Sequence, residues 1–198
     1  MSMSDYMRSL TENIEVKQMA FPMLCPVTAA VNELASSGVE ARGAIFTRRE
    51  VVDFILDLVG YSTNCPIFEL KLLEPAFGRG DFLLPAIDRL IAACQKSSAD
   101  SDILTALRTC ICAVELHRET FLNTRSKVIE ALRRHDVPGA AAEALADGWL
   151  INADFLLAPL PETGFDVVVG NPPYVRQELI PDVLITEYRN RYTTIYDR

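Results

Sequence analysis

The segment Phe165-Asp166-Val167-Val168-Val169 is apolar at every position but Asp166, and it breaks at Gly170 straight into Asn171-Pro172-Pro173-Tyr174. A short apolar run without polar alternation is what a parallel strand shows when both of its faces are covered. The two prolines fix the backbone and remove two N–H donors, so the strand is predicted to end in a rigid loop with its carbonyls free. Asn171 adds an amide oxygen and Tyr174 a flat ring. Paired acceptors beside an aromatic plate suit a planar group bearing an amino nitrogen. The plainer reading is a proline-rich surface turn, which the position directly behind a buried strand disfavours.

Upstream, strands and helices alternate. Ile67 to Leu73 reads as a strand and Asp81 to Ala93 as a helix. Ile111 to Val114 reads as a second strand, followed by an amphipathic helix from His117 to Arg134 with Phe121, Val128, Ile129 and Leu132 on one side. Trp149 to Ala153 is a third strand and Phe165 to Val169 a fourth. Such alternation predicts right-handed crossovers and an α/β, doubly wound, mainly parallel sheet. Ligands then bind beyond the carboxyl ends of the strands. Ahead of this pattern, Met1 to Glu40 reads as helical, with a break between Pro22 and Pro26. Residues 1–40 are expected to form a helical extension and residues 41–198 the main domain. Thr47-Arg48-Arg49-Glu50 has the form of a capping box. Val51, Ile55, Leu58 and Val59 follow at helical spacing, and Gly60 closes that helix.

Several classes are excluded by composition. The 198 residues are 49% hydrophobic and 23% charged, as in an ordinary folded domain. No apolar run reaches the roughly 20 residues of a membrane span, and Met1 to Leu10 lacks the apolar core of a signal peptide, so no membrane partner and a cytoplasmic location are expected. Cys25, Cys65, Cys94, Cys110 and Cys112 form no C-x-x-C pair, so they are expected to be buried reduced thiols, and no metal site is expected. The formal net charge of −8 argues against this segment gripping DNA unaided, because phosphate contacts supply most nucleic-acid affinity.

Residues able to carry chemistry follow each strand. After the first comes Glu74-Pro75-Ala76-Phe77-Gly78-Arg79-Gly80-Asp81-Phe82. Gly78 and Gly80 permit a tight turn and close approach to a ligand, although a plain turn has the same pattern. The loop lacks the Lys-Ser/Thr ending of a phosphate-binding loop, and its acids suit a ligand rich in amino and hydroxyl donors. Glu115 follows the second strand, where a carboxylate either accepts from a ribose diol or merely starts a helix. Asp154 and Phe155 follow the third, poised for an exocyclic amine and a purine face, or else a turn acid beside a core ring.

The order of these elements resembles the gamma class of adenine-N6 DNA methyltransferases, the TaqI type of restriction-modification and related phage-defence systems. Asn171 to Tyr174 resembles the catalytic N-P-P-Y motif of amino-group methyltransferases. Gly43 to Asp57 resembles the first, cofactor-contacting helix, although that family often has Thr-Pro where this chain has Thr47-Arg48. Val175-Arg176 is also typical of the class. The resemblance covers about Arg42 to Arg176. It implies a Rossmann-like fold of the class I methyltransferases and S-adenosyl-L-methionine as cofactor. Thr47, Glu74, Ala76, Gly78, Gly80, Phe82, Glu115, Asp154, Phe155 and Asn171 would line its site. Asn171, Pro172 and Tyr174 would be catalytic, and double-stranded DNA with a flipped adenine would be the substrate. The family's catalytic domain continues with further strands and a target-recognition domain beyond the position of Arg198. The resemblance therefore implies an incomplete unit, whose fourth strand is covered by a C-terminal region, a second subunit or a dimer partner. A protein glutamine N5-methyltransferase shares N-P-P-Y, an RNA guanine-N2 methyltransferase is a third reading, and a binding subunit without catalysis is a reading of a different kind.

Overall fold

The computed structural model describes residues 25–36, 46–97 and 103–195. Four strands form one parallel sheet in the order β3-β2-β1-β4. They are β1 (Leu72–Glu74), β2 (Ile111–Glu115), β3 (Leu150–Asn152) and β4 (Val167–Val168). In register, Leu72 pairs with both Ile111 and Val167, so β1 lies between β2 and β4. The helices are α1 (Pro26–Ser36), α2 (Arg49–Leu58), α3 (Leu83–Lys96), α4 (Ile103–Leu107), α5 (Arg118–Arg134), α6 (Gly139–Trp149) and α7 (Asp182–Arg191). The main core runs between sheet and helices and includes Leu72, Leu90, Ile91, Ala113, Leu132 and Trp149, all fully buried. The Trp149 indole donates to the Leu107 carbonyl at 2.9 Å, which satisfies its one polar atom.

Each sequence-predicted strand is present, but most are shorter. Ile67–Glu69 is a 3-10 turn, and pairing begins only near Lys71, whose N–H donates to the Asp166 carboxylate at 2.8 Å. The helix expected from Asp81 starts at Leu83, because Gly78 (φ +51°) and Gly80 (φ +88°) turn the chain first. At Gly80 a Cβ would meet Leu84 Cγ at 3.0 Å and Thr124 Cγ2 at 3.1 Å, so this glycine serves packing. Gly78 has open space beside it.

The expected capping box does not form, and the helix starts one residue later. The N-cap of α2 is Arg48, with no side-chain cap, and the Thr47 side chain is engaged elsewhere. The buried pair of α2 is Val52 and Leu56, while Val51, Leu58 and Val59 are exposed. The helix nevertheless ends as expected. Tyr61 N–H donates to Leu56 O, and Gly60 N–H to Asp57 O, the two bonds of a Schellman stop with Gly60 at φ +74°. Arg89 of α3 fixes α2 in place by donating to the Asp57 carboxylate at 2.6 Å and to the Asp53 carboxylate at 3.1 Å.

Of the stretch expected as an N-terminal helical extension, only α1 and Cys25 before it fall among the described residues. This helix packs on α7 through a second small core of Ala30, Leu184 and Tyr188. Cys110 and Cys112 are buried as expected, whereas Cys25 and Cys65 are exposed. β4 is the outer strand of the described sheet, and Val168 on it is 60% exposed while Val167 and Val169 are buried. No helix among the described residues is long and apolar enough to cross a membrane.

Two glycines separate strain from propensity. Gly80→Ala should cost about 1–3 kcal/mol, since it combines a positive φ with two close carbons. Gly148→Ala, in open space near the end of α6, should be neutral or stabilise by up to about 1 kcal/mol. Denaturant unfolding of both variants checks the contrast, and equal effects would contradict it.

Candidate active site

The loops after all four strands meet at the carboxyl edge of the sheet around a cavity of about 460 Å³. Its lining includes Thr47, Glu74, Ala76, Gly78, Phe82, Glu115, Asp154, Phe155, Asn171 and Pro172. Two of the sequence-predicted residues lie outside that lining. Gly80 borders a neighbouring shallow cleft instead, and Tyr174 is 68% exposed. The cavity also takes Leu34 from α1 and Ile180 and Tyr188 from the segment after Tyr174, residues that strand-end reasoning does not reach.

Glu115 holds two loops together. Its Oε2 accepts the Gly78 N–H at 2.9 Å and its Oε1 the His117 N–H at 2.7 Å. The glycine loop and the turn after β2 are thereby pinned to one buried carboxylate. Each of its oxygens keeps further acceptor capacity. His117 in turn donates through Nδ1–H to the Ala35 carbonyl at 2.7 Å, which ties α1 to the same corner.

Thr47 links the first helix to the proline loop. Its N–H donates to Asp81 Oδ2 at 2.9 Å, and its hydroxyl accepts from Asn171 Nδ2 at 3.3 Å. Through Nδ2 the Asn171 amide thus ties the proline loop to the residue ahead of α2. Asp154, only 7% exposed, accepts the Leu156 N–H at 2.8 Å through Oδ1 and the Tyr188 hydroxyl through Oδ2.

Four carboxylates, Glu74, Asp81, Glu115 and Asp154, line this largely apolar cavity, with Arg79 the one arginine or lysine among the lining residues. Glu74 is 2% exposed, and its Oε2 has no hydrogen-bond partner. Burial pushes its carboxyl well above the usual glutamate range, and the charges of Asp81 and Glu115 add to the effect. A buried acceptor without a donor, ringed by further acids, is a site built for a cationic or donor-rich ligand.

The raised value has a stability consequence with a definite sign. The folded protein keeps the Glu74 proton at pH values where the unfolded chain has lost it. Stability therefore falls as pH rises above the ordinary glutamate value of 4.5, by up to about 1.4 kcal/mol per pH unit. Glu74→Gln should remove that loss. The variant should be more stable than wild type at pH 7, and the difference should close below about pH 4. Thermal melts across pH measure this, and a constant difference would refute it.

The chain is similar to known methylases over most of its length. Residues 101–198 match the family of Eco57I restriction-modification methylases. Over 176 residues, 88% of this chain, the sequence is 57% identical to the Type II methyltransferase M.PaeR7I of Pseudomonas aeruginosa, covering 30% of that protein. It is 53% identical over 160 residues (80% of the chain) to the Type II methyltransferase M.XhoI of Xanthomonas vasicola, covering 29% of it. It is 42% identical over 160 residues (79% of the chain) to M.BstVI of Geobacillus stearothermophilus, covering 28%. The chain thus spans about 30% of the length of the curated relatives it matches. With a parallel sheet whose strand-end loops enclose an acid-lined cavity beside Asn171-Pro172-Pro173-Tyr174, the chain is similar to a stretch of the restriction-modification methyltransferases.

Proposed function

We propose that this chain supplies the cofactor pocket and catalytic loop of an enzyme that transfers a methyl group from S-adenosyl-L-methionine to the N6 amino group of adenine in DNA. The observation that carries the reading is Asn171 at the rim of the acid-lined cavity, held by Thr47 from the opposite side. The donor set fits the cofactor. Its ammonium and sulfonium are cationic, its ribose and base are rich in donors, and the unpartnered Glu74 oxygen calls for such a partner. Glu74 and the Ala76–Gly78 backbone would hold the amino-acid end, Glu115 the ribose diol, and Asp154 with Phe155 the adenine. The Type II methyltransferase relatives favour DNA over the glutamine or RNA substrates that also pair with an N-P-P-Y loop.

When bound, S-adenosyl-L-methionine supplies an electrophilic methyl group. The chain's own residues do the rest by position. A target adenine must leave the duplex to reach this loop. Asn171 Oδ1 and the Pro172 carbonyl accept its two amino hydrogens, which favours a pyramidal nitrogen with its lone pair turned toward the cavity. The exposed Tyr174 ring stacks on the flipped base, worth about 1–3 kcal/mol. Alignment and fixed dipoles supply most of the acceleration. No general base is assigned. The net charge of −8 makes this segment a poor grip on DNA, so phosphate contacts come from other parts of a longer polypeptide or from a second subunit. That remaining polypeptide also covers Val168 and the exposed Val51, Phe54 and Leu58 on α2.

Titration calorimetry tests the pocket. Either the cofactor or its demethylated product should bind, and Glu115→Ala should weaken binding by about 1–3 kcal/mol. Binding should also release protons wherever above pH 4.5 Glu74 still holds its proton, because a cation beside it favours the ionised form. Two buffers of different ionisation enthalpy would reveal that release. Absence of binding heat at millimolar ligand removes the pocket reading, and buffer-independent heats remove the Glu74 assignment. Residues 1–198 alone should not methylate DNA at a useful rate. Restoring the longer protein should recover transfer, and Asn171→Ala in it should abolish most of the activity. Robust adenine methylation by residues 1–198 alone would contradict this division of labour.

A further inference from the structure

Tyr188 stands apart from the residues that the strand-end rule identifies. It lies on α7, after the proline loop, and reaches back 34 residues to Asp154. Its hydroxyl donates to Asp154 Oδ2, and the contact is buried. The other oxygen, Oδ1, is taken by the Leu156 N–H of the same turn. The Asp154 carboxylate is therefore gripped at both oxygens, and each retains an acceptor position. Both Asp154 and Tyr188 line the cavity. Burial, with the Asp154 hydrogen bond and charge behind it, holds the tyrosine hydroxyl in its protonated, donating form far above ordinary pH.

The position of Tyr188 is itself over-determined. Its ring belongs to the small core that α7 makes with α1, alongside Leu184 and Ala30. A buried tyrosine needs some partner for its hydroxyl, and a backbone carbonyl would have served. The partner is instead a cavity-lining carboxylate with acceptor capacity to spare. A carboxylate held at both oxygens loses little rotamer freedom when a ligand binds, which is the condition for discriminating an amino donor from a group that cannot donate.

We propose that Tyr188 is a positioning residue that sets the cofactor-base selectivity of this pocket, by fixing the Asp154 carboxylate to accept from the exocyclic amine of the adenine. The assignment rests on the cofactor reading given above. It also gives the segment after the proline loop a definite job. Asn171 at one end of that segment is tied to Thr47, and Tyr188 at the other is tied to Asp154, so the loop bearing the acceptors for the target base is anchored at both ends of the cofactor site.

Binding of three ligands to the full chain tests the proposal by calorimetry: S-adenosylhomocysteine, its 6-oxo (inosyl) analogue and its analogue with hydrogen at purine C6. Wild type should prefer the adenosyl ligand over both. In Tyr188→Phe the adenosyl affinity should fall roughly tenfold, as for a lost hydrogen bond to a charged group, while the other two change little, so the preference collapses. Asp154→Asn should collapse it as well, and the double variant should be no worse than Asp154→Asn alone. An equal loss for all three ligands would mean a packing role and would overturn the proposal. So would an unchanged preference, or a gain in adenosyl affinity, which would make the hydroxyl a competitor for Asp154. Wild type binding none of the three removes the cofactor reading itself, an outcome distinct from wild type binding with an unmoved preference in Tyr188→Phe.

Discussion

The site depends on β1 being flanked on both sides. Leu72 and Leu73 pair with β2 on one edge and with β4 on the other, and the strand order 3-2-1-4 reverses direction at this strand. A crevice opens where the order reverses, because neighbouring connections leave for opposite faces of the sheet. Glu74 ends β1 there, and Gly170 leads β4 past it, with Glu74 Cγ only 3.5 Å from the place a Gly170 side chain would occupy. The acidic loop and the proline loop therefore share an origin although they are about a hundred residues apart in sequence. Glu115 adds the third loop by hydrogen-bonding Gly78, and the first three loops become one body.

Much of this was legible in the sequence, for a physical reason. β1 and β2 are buried at every position and β3 and β4 only in part, yet each lies in a largely apolar run with chemistry-bearing residues at or after its end, so Glu74, Glu115, Asp154 and Asn171 could be read as a set before any geometry. Their meeting at one cavity is what the fold adds. Boundaries were less legible. The Thr47 side chain suits a cap, but Asn171 engages it from 124 residues away, while Asp81 takes its N–H, and the helix starts one residue later without a side-chain cap. Local propensity carries no trace of such long-range partners.

α6 and α7 went unread for different reasons. Gly139 to Trp149 is alanine-rich, with weak contrast between its faces, and its burial comes from packing on α5 and α4. Asp182 to Arg191 is mostly polar and buries only Leu184 and Tyr188, a spacing of four that would pass for chance. Tyr188 has no local signature as a site residue, because the role proposed for it lies in a direct contact to Asp154, 34 residues earlier. Tyr174, conspicuous in sequence, is by contrast exposed and outside the cavity lining. On the proposed reading, residues that would face the cofactor are fixed by the fold, whereas one that would stack on a flipped base has to face outward to meet it.

The concentration of acids in the cavity also sets a tension between stability and binding. Burial raises the cost of ionising Glu74, and Asp81 and Glu115 lie close enough to add to it. A fold selected for stability alone would place a neutral or apolar group at the end of its central strand. The structure keeps a carboxyl there, unpartnered at Oε2, and anchors the surrounding loops through Glu115 and Asp154 so that the charge cannot be relieved by local collapse. Relief comes from a proton on Glu74, or from a ligand that brings positive charge and donors together. Binding and folding are therefore linked through the same group: a cation seated beside Glu74 recovers the stability that its ionisation would otherwise cost.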